Sequence, residues 1–297
     1  MALIYEPEGK AGEYSPYALN IYLNGCNHAC SYCYCPDWAR RYGRPWTTTP
    51  TPRALSWKTL EREAEETTRQ VGLSFLGDPY CAAEREYRAT REALAVLAGA
   101  RCSVAVLTKG GSRCLDDLDA FKRWPEGRVQ VGATLTFLTE SRSREVEPGA
   151  AVPEDRLAAL QTLHAAGVRT WASIEPVIDA DESLAVIEAS LPFVAAYKVG
   201  KLNHEKDAVD WRAFAPRAVA VIRQAGRRVY VKVGSQPYFP AGFLTPQERD
   251  PESLFLPDRP EEPSLFGLAP EPLQGAARTA LHRSTPTPGR RLQCEPH

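Results

Sequence analysis

Three cysteines within eight residues constrain this chain more than any other feature of its sequence. Cys26, Cys30 and Cys33 have the spacing CxxxCxxC, with Tyr32 directly before the last of them. Three thiolates at this spacing can hold three irons of a cubane 4Fe–4S cluster, whereas such clusters usually take four protein thiolates. The remaining iron keeps an open coordination position, which is where a metal site does chemistry rather than support structure.

A disulfide framework and a structural zinc site are the alternatives for these cysteines. Disulfide frameworks suit small secreted chains, whereas this chain has 297 residues and no apolar signal segment at its start. Cys35 could complete a four-thiolate set, CxxxCxxCxC, but that spacing is not typical of zinc sites. Eight cysteines, four of them within ten residues, indicate a metal site in a reducing compartment and predict a cytoplasmic protein.

The overall composition is that of a soluble globular protein that does not enter a membrane. Apolar residues make up 43% and charged residues 25% of the chain, and no apolar run approaches the length of a membrane span. The net charge of −1 gives no global attraction to nucleic acid. Any such binding therefore needs a local basic patch.

Apolar, β-branched runs alternate with helical patterns, which favours βαβ units and a parallel sheet. Strands are predicted over residues 17–23, 71–76, 102–107, 129–135, 168–174, 195–199 and 228–233, and helices over 55–70, 82–98, 115–124, 154–166, 182–190 and 210–224. Right-handed crossovers would wind these repeats into an α/β fold, a partial (β/α)6-type TIM barrel. In such barrels the reactive groups lie on loops after the strand C-termini.

The sequence changes character at Ser235, after which prolines recur. We therefore predict two parts: a barrel over residues 1–234 with an N-terminal cluster loop, and a Pro-rich extension over 235–297 that wraps or is partly disordered. Two short apolar runs, 254–256 and 265–266, are candidates for attaching this extension to the barrel. Cys294 is interpreted as a bystander.

Two polar motifs follow successive predicted strands. The first is Leu76-Gly77-Asp78-Pro79-Tyr80, and the second is Thr108-Lys109. The carboxylate of Asp78 and exposed carbonyls can accept hydrogen bonds from an ammonium group, and Lys109 is a suitable point charge for a carboxylate. The alternatives are an ordinary turn and helix start at Asp78, and a solvated surface side chain for Lys109.

Together with the cysteines, these motifs resemble the radical S-adenosylmethionine (radical SAM) superfamily, and its spore photoproduct lyase-like branch in particular. In that superfamily the amino and carboxylate groups of S-adenosylmethionine (SAM) chelate the open iron. One electron from the cluster cleaves the sulfonium and releases a 5′-deoxyadenosyl radical. The resemblance covers about residues 15–235. It implies an enzyme with a 4Fe–4S cluster and SAM as cofactors, and a reductase or flavodoxin-type electron donor.

The resemblance also implies roles for individual residues. Asp78 stands in a variant of the Gly-Gly-Glu-like motif that binds the SAM amino group, and Lys109 is expected to meet the SAM carboxylate. Tyr32 and Tyr34 flank the last cysteine, as tyrosines do in the lyase, where one of them serves in a radical relay. The alternative is that both rings pack over the cluster and exclude water.

Other strand-end residues are expected at the same mouth. Thr134 and Thr136 are candidates for hydroxyl contacts to SAM, and Glu175 for a ribose or methionine contact. Cys81 lies in the loop from which the lyase supplies a hydrogen-donating cysteine, although its offset differs, and free cysteines are more often small buried hydrophobes. Further polar residues expected to face the mouth, with ordinary loop residues as the alternative, are Lys198, Lys201, Asn203 and His204.

The substrate is the least constrained part of the prediction. Arginines are interleaved with aromatic residues after the cysteines, at Trp38, Arg40, Arg41, Tyr42, Arg44 and Trp46. Basic groups hold phosphates and aromatic rings stack on bases, which favours a nucleic acid or nucleotide substrate; ordinary surface charges are the alternative. A peptide or small-molecule substrate is the second hypothesis. A non-enzymatic iron–sulfur or zinc protein is the third, and it does not explain motifs at successive strand ends.

Overall fold

The parallel sheet predicted from the sequence is present, and its strand order follows the chain. The computed structural model describes residues 2–203 and 208–256, and the sheet has the order β1 to β8. Its strands are β1 Ile4–Tyr5, β2 Tyr17–Leu19, β3 Gln70–Leu73, β4 Ser103–Thr108, β5 Val129–Thr134, β6 Arg169–Val177, β7 Ala196–Lys201 and β8 Arg228–Val231. All neighbouring pairs are parallel except β1 with β2. Within the described residues the sheet is not closed.

Helices connect the parallel strands, as the periodicity predicts. They are α1 Cys35–Arg41, α2 Trp57–Glu66, α3 Glu84–Tyr87, α4 Ala89–Ala98, α5 Leu118–Lys122, α6 Glu140–Val146, α7 Pro153–Ala165, α8 Ala180–Ser190, α9 Trp211–Gln224 and α10 Pro246–Arg249. Short 3-10 helices add Gly9–Ala11, Gly111–Asp117, Val233–Tyr238 and Pro251–Leu254. No helix in this described part of the chain is long and apolar enough to cross a membrane.

Local backbone chemistry explains where helices differ from their predicted bounds. Asp179 and Asp210 cap α8 and α9, since their carboxylates accept amide hydrogen bonds from the first turns. The helix predicted over 82–98 is two helices, because Arg88 adopts a left-handed conformation with φ 53° between them. β1 was not predicted, because two residues are too short to show an alternating pattern.

The N-terminal segment contacts strands on both sides of the open sheet. The Ser15 hydroxyl donates to the carbonyl of Gln70 in β3 at 3.0 Å. The Glu13 carboxylate accepts from the amide of Val233, which follows β8, at 2.9 Å. Side-chain contacts of residues 13–15, rather than a backbone ladder, therefore connect the two sides of the barrel.

Residues 250–256 lie against the strand N-termini. The Leu256 amide donates to Gln70 Oε1 at 2.9 Å, and the Gln130 side chain reaches the carbonyl of Leu254 at 3.4 Å. Leu254 and Leu256 are both buried. The second apolar run, 265–266, lies outside the described residues, as do Cys294 and His204, and the division at 234/235 stays a prediction.

Candidate active site

The cluster loop, which we define as residues 24–34, is held at its first turn by a second segment of chain. The Cys26 amide donates to the carbonyl of Thr47 at 3.0 Å, and the Thr47 amide donates to Asn24 at 2.9 Å. A β-carbon at Gly25 would lie 2.0 Å from the Thr47 carbonyl oxygen. Only glycine therefore allows the two backbones to approach this closely.

The three cysteines of the motif differ from the others in exposure. Cys26, Cys30 and Cys33 are partly exposed. The remaining cysteines of the described residues are all buried: Cys35, Cys81, Cys102 and Cys114. The loop thus offers three accessible thiols, and the alternative fourth ligand, Cys35, is the buried first residue of α1.

The thiols on the cluster loop lie close enough for their charges to interact. Burial raises the pKa of Cys30 to about 11, against the opposing effect of the Lys109 ammonium, and burial also raises the pKa of Cys26. A hydrogen bond with the Cys35 thiol lowers the pKa of Cys33 to about 6. Because metals bind thiolates, loading iron must release protons from Cys26 and Cys30 at neutral pH.

This donor set fits a 4Fe–4S cluster held through three thiolates. No three His, Cys, Asp or Glu side chains of residues 2–203 and 208–256 close around one metal-ion position. Each cysteine of a cubane cluster binds its own iron, so three donors on one loop do not have to converge on a single point.

Asp78 connects the cluster loop to the ends of β3 and β4. One carboxylate oxygen accepts from the Thr108 hydroxyl at 2.7 Å and from the Tyr80 amide at 2.8 Å. The other accepts from the Lys109 amide at 2.8 Å and lies 3.1 Å from Nε2 of His28. Burial opposes ionisation of Asp78, but the His28 ring and these hydrogen bonds outweigh it and lower the pKa below its usual range.

The structure does not support the predicted contact between the Asp78 carboxylate and the SAM amino group. A carboxylate has about four lone-pair positions, and four neighbours already approach its oxygens. The residue is only 7% exposed. Its contacts join the cluster loop to the end of β4, and the sequence could not show them because the motif identifies the residue but not its partners. The contact to the SAM amino group stays a prediction.

Lys109 lies beside the cluster loop, as its motif predicts. Its ammonium is 5.5 Å from the centre of the Tyr32 ring. Burial lowers the pKa of Lys109, but the charges of Cys30 and Glu147 outweigh burial and the net effect raises it. The side chain therefore stays protonated and provides a positive charge next to the cluster loop.

The two tyrosines around Cys33 are both anchored through their hydroxyls. Tyr32 donates to the carboxylate of Glu147. Tyr34 is 43% exposed and donates to the carbonyl of Phe75 at 2.6 Å. These contacts fix both rings against the cluster loop, and the radical-relay role of Tyr34 stays a prediction.

Thr134 and Thr136 are both buried, at 3% and 0% exposure. The Thr136 hydroxyl donates to Glu147 at 3.2 Å, and the Thr134 carbonyl accepts from Arg156 at 3.0 Å. Thr136 thus faces the interior side of the site rather than an open mouth, which does not support a hydroxyl contact to SAM. For Thr134 the contact remains a prediction.

Glu175, at the end of β6, is already engaged by three donors. Its carboxylate accepts from the Tyr14 hydroxyl, from Lys232 at 2.7 Å and from the Asn203 side chain at 3.0 Å. Gly200 faces this group, since a β-carbon there would lie 2.8 Å from the Glu175 carboxyl carbon. A contact to SAM would have to use the one acceptor position that these donors leave.

Lys198, within the sixth predicted strand, does not face the mouth, contrary to expectation. It is 2% exposed, and its ammonium donates to the carbonyls of Glu13 at 2.8 Å and Tyr14 at 3.1 Å. Burial and the nearby Lys232 ammonium lower its pKa well below the usual range. Lys198 therefore fastens the N-terminal segment inside the barrel.

The predicted hydrogen-donor role of Cys81 is not supported by its position. The residue is 0% exposed and packs in the hydrophobic core. Burial raises the pKa of its thiol to about 12. A thiol that returns hydrogen to a product radical must reach the substrate, whereas Cys81 behaves as the small buried hydrophobe that was the alternative.

Sequence reasoning missed three residues of the site: His28, Glu147 and Arg156. His28 stands between two cysteines of the motif, so its place in the cluster loop was visible in the sequence. Glu147 and Arg156 form an ion pair of 2.6 Å with 0% and 1% exposure. No motif marks them, because a charged pair in a loop and a helix looks like ordinary surface in a sequence.

Comparison with known proteins identifies the family. The family model of the radical SAM superfamily matches residues 20–188, more than half of the chain. This chain belongs to the radical SAM superfamily. The match contains the cluster loop and the β3, β4 and β5 strand ends described above.

The relatives found by sequence are themselves uncharacterized. A protein of Methanocaldococcus jannaschii is 28% identical over 196 residues, covering 63% of this chain and 70% of the relative. A protein of Mycobacterium bovis is 28% identical over 169 residues, covering 54% of this chain and 49% of the relative. The chain thus spans about half the length of the mycobacterial relative.

Solved structures support the fold. A spore photoproduct lyase variant with bound AdoMet and dinucleoside spore photoproduct aligns with TM-score 0.52 and 15% identity, over 71% of this chain and 61% of the lyase. Streptococcus suis SuiB bound to S-adenosylmethionine aligns with TM-score 0.54 and 12% identity, over 72% of this chain and 45% of SuiB. At these identities the similarity shows a shared fold alone.

Replacing cysteines one at a time tests the ligand assignment. Cys26→Ala, Cys30→Ala and Cys33→Ala should each lose the cluster after anaerobic reconstitution, because each removes one of three iron ligands. Cys35→Ala is the matched control and should keep it. Iron and sulfide analysis with an absorption spectrum decides the result, and the assignment is wrong if Cys35→Ala loses iron while any of the other three retains it.

Proposed function

We propose that this protein binds a 4Fe–4S cluster through Cys26, Cys30 and Cys33 and cleaves SAM reductively at the open iron. The observation that carries the proposal is a loop with three accessible thiols, fixed to two strand ends through Asp78. When bound, the cluster and SAM together supply a 5′-deoxyadenosyl radical that abstracts hydrogen from the substrate. A reductase or flavodoxin-type protein donates the electron.

Two features of the chain would orient SAM at the cluster loop. Lys109, with its charge beside Cys30 and Tyr32, meets the SAM carboxylate as a point charge. The backbone carbonyls of the Leu76–Gly77 turn accept from the amino group, because the Asp78 carboxylate is occupied by its own partners. The anchored rings of Tyr32 and Tyr34 exclude water from the loop.

The proposal predicts that the reconstituted protein, given SAM and a strong reductant, forms 5′-deoxyadenosine. Lys109→Gln should weaken SAM binding by about 1.5–3 kcal/mol, the usual worth of a hydrogen bond to a charged group, while retaining the cluster. Liquid chromatography of the product and equilibrium dialysis with SAM measure the two effects. A fully loaded wild-type protein that leaves SAM intact would refute the proposed chemistry.

We further propose that the substrate is a nucleic acid or nucleotide, bound by the basic aromatic surface, defined as Trp38, Arg40, Arg41, Tyr42, Arg44 and Trp46. The rings of Trp38 and Tyr42 are 5.1 Å apart, and the Arg44 guanidinium lies 5.6 Å from the Trp38 ring. Tyr42 is 61% exposed. Exposed rings beside cations suit stacked bases and their phosphates.

The position of this surface supports the same substrate class. Helix α1 begins at Cys35, two residues after the last cysteine of the motif, so the surface directly follows the cluster loop in the chain. Arg40 pairs with Asp37, whereas Arg41 and Arg44 form no ion pair among the described residues. Both cations are therefore available for phosphates, and Arg44 lies beside the Trp38 ring.

Salt dependence tests this binding. With about three phosphate contacts on a single strand, the slope of log K against log salt should be roughly −2. Arg40→Ala, Arg41→Ala and Arg44→Ala combined should flatten the slope and leave SAM cleavage without substrate unchanged. The matched control is the combined Arg212→Ala, Arg217→Ala and Arg249→Ala variant, which removes three exposed arginines elsewhere and should keep the slope.

Fluorescence anisotropy with single- and double-stranded DNA and RNA is the measurement. Absence of binding to every one of these at low salt would contradict the nucleic-acid proposal. The peptide or small-molecule hypothesis would then be the one to pursue, with SAM cleavage itself unaffected.

A further inference from the structure

Residues 146–149, at the end of α6 and before α7, form a turn that touches the back of the cluster loop. We name this turn the cradle. The Ser31 amide donates to the carbonyl of Val146 at 2.9 Å, and the Gly149 amide donates to the carbonyl of His28 at 2.9 Å. Two backbone hydrogen bonds therefore join segments that are more than a hundred residues apart in the chain.

Side chains add three more contacts at the same place. The Asn27 amide group donates to the Gly149 carbonyl at 3.0 Å, and Nδ1 of His28 lies 3.2 Å from the same oxygen. The Tyr32 hydroxyl donates to Glu147. The cradle thus contacts residues 27, 28, 31 and 32 of the cluster loop, on both sides of Cys30.

Gly149 is the point of closest approach. A β-carbon at this position would lie 1.9 Å from the carbonyl oxygen of Asn27 and 3.1 Å from the α-carbon of His28. Both of these atoms are backbone, so the strain cannot be relieved by rotating a side chain. Any other residue at position 149 must push the cluster loop away from the cradle.

A buried ion pair holds the cradle in place. Glu147 and Arg156 are 2.6 Å apart and almost fully buried. Arg156 also donates to the carbonyl of Ala151 at 2.7 Å and to that of Thr134, at the end of β5, at 3.0 Å. The arginine therefore fixes the position of the cradle relative to the barrel.

We infer that Gly149 and Asn27 are positioning residues for the iron ligands, and that the cradle sets the spacing of the three thiols. This inference rests on the proposed function, because it assigns the cradle to the same cluster. Groups that orient metal ligands without touching the metal typically change metal affinity by about 10–100-fold when they are replaced. If the turn merely stabilised the fold, replacing its residues would lower the unfolding temperature instead of the affinity for iron.

Iron retention in Gly149→Ala separates these roles. After anaerobic reconstitution, the variant should lose iron to a competing chelator about 10-fold more readily than wild type. The unfolding temperatures of the iron-free variant and the iron-free wild-type protein should be similar. The matched control is Gly234→Ala, because nothing lies within 4 Å of a β-carbon at that position, and it should behave as wild type in both measurements.

Asn27→Ala provides a second variant in case Gly149→Ala does not fold. It removes the bond to the Gly149 carbonyl, together with the bond that Asn27 Oδ1 accepts from the Ala82 amide at 2.8 Å, without adding atoms, and should also release iron faster. If the folded variants retain iron as well as the wild-type protein does, the inference about the cradle is wrong. The proposed function would still stand in that case, provided that the wild-type protein cleaves SAM. A wild-type protein that assembles no cluster at all would overturn both.

Discussion

The site depends on the attachment of the cluster loop to the ends of β3 and β4 through the Asp78 carboxylate. One oxygen of this buried group accepts from the Thr108 hydroxyl, and the other accepts from the Lys109 amide and lies beside His28 of the cluster loop. Charge-assisted bonds of this kind are among the strongest that a protein can form. Because one side chain contacts both segments, the thiols and Lys109 come together in one place.

The barrel supports this arrangement from the inside. Tyr14 and Lys198 connect the N-terminal segment to the interior, where the Tyr14 hydroxyl meets Ser173 at 2.8 Å and Lys198 donates to two main-chain carbonyls. A buried ammonium is costly unless it is hydrogen-bonded, and these carbonyls satisfy it. The interior of the barrel is therefore polar at this place, and the polar side chains there are hydrogen-bonded within the chain.

The sequence predicted the parallel sheet, most of its helices and the location of the cluster loop, because these leave periodic or spaced patterns. It also placed Lys109 at a strand end beside the cluster loop, since strand ends meet at one edge of a barrel, whereas its contact to SAM stays a prediction. It could not predict that the Asp78 carboxylate turns inward, and for Cys81 it left a hydrogen donor and a small buried hydrophobe as alternatives. Those outcomes depend on partners distant in the chain, such as His28, which neither motif contains.

The same limit explains why the cradle had no sequence signal. Gly149 and Glu147 lie in a connection where glycine and charged residues are common, and Arg156 lies in helix α7. Only the folded structure shows that Gly149 approaches Asn27 closely and that the two charged residues pair. The spacing of residues within a motif indicates which ligand the motif can bind. The position of the motif in the fold depends on other segments that pack against it.

The central claim is that three thiolates leave one iron open for SAM. Electron paramagnetic resonance of the reduced, reconstituted wild-type protein tests it most directly, because a new ligand on one iron changes the spectrum of the cluster. We expect a 4Fe–4S signal that shifts when SAM is added, because the amino and carboxylate groups of SAM then become ligands of the open iron. A cluster signal that is identical with and without saturating SAM would contradict it.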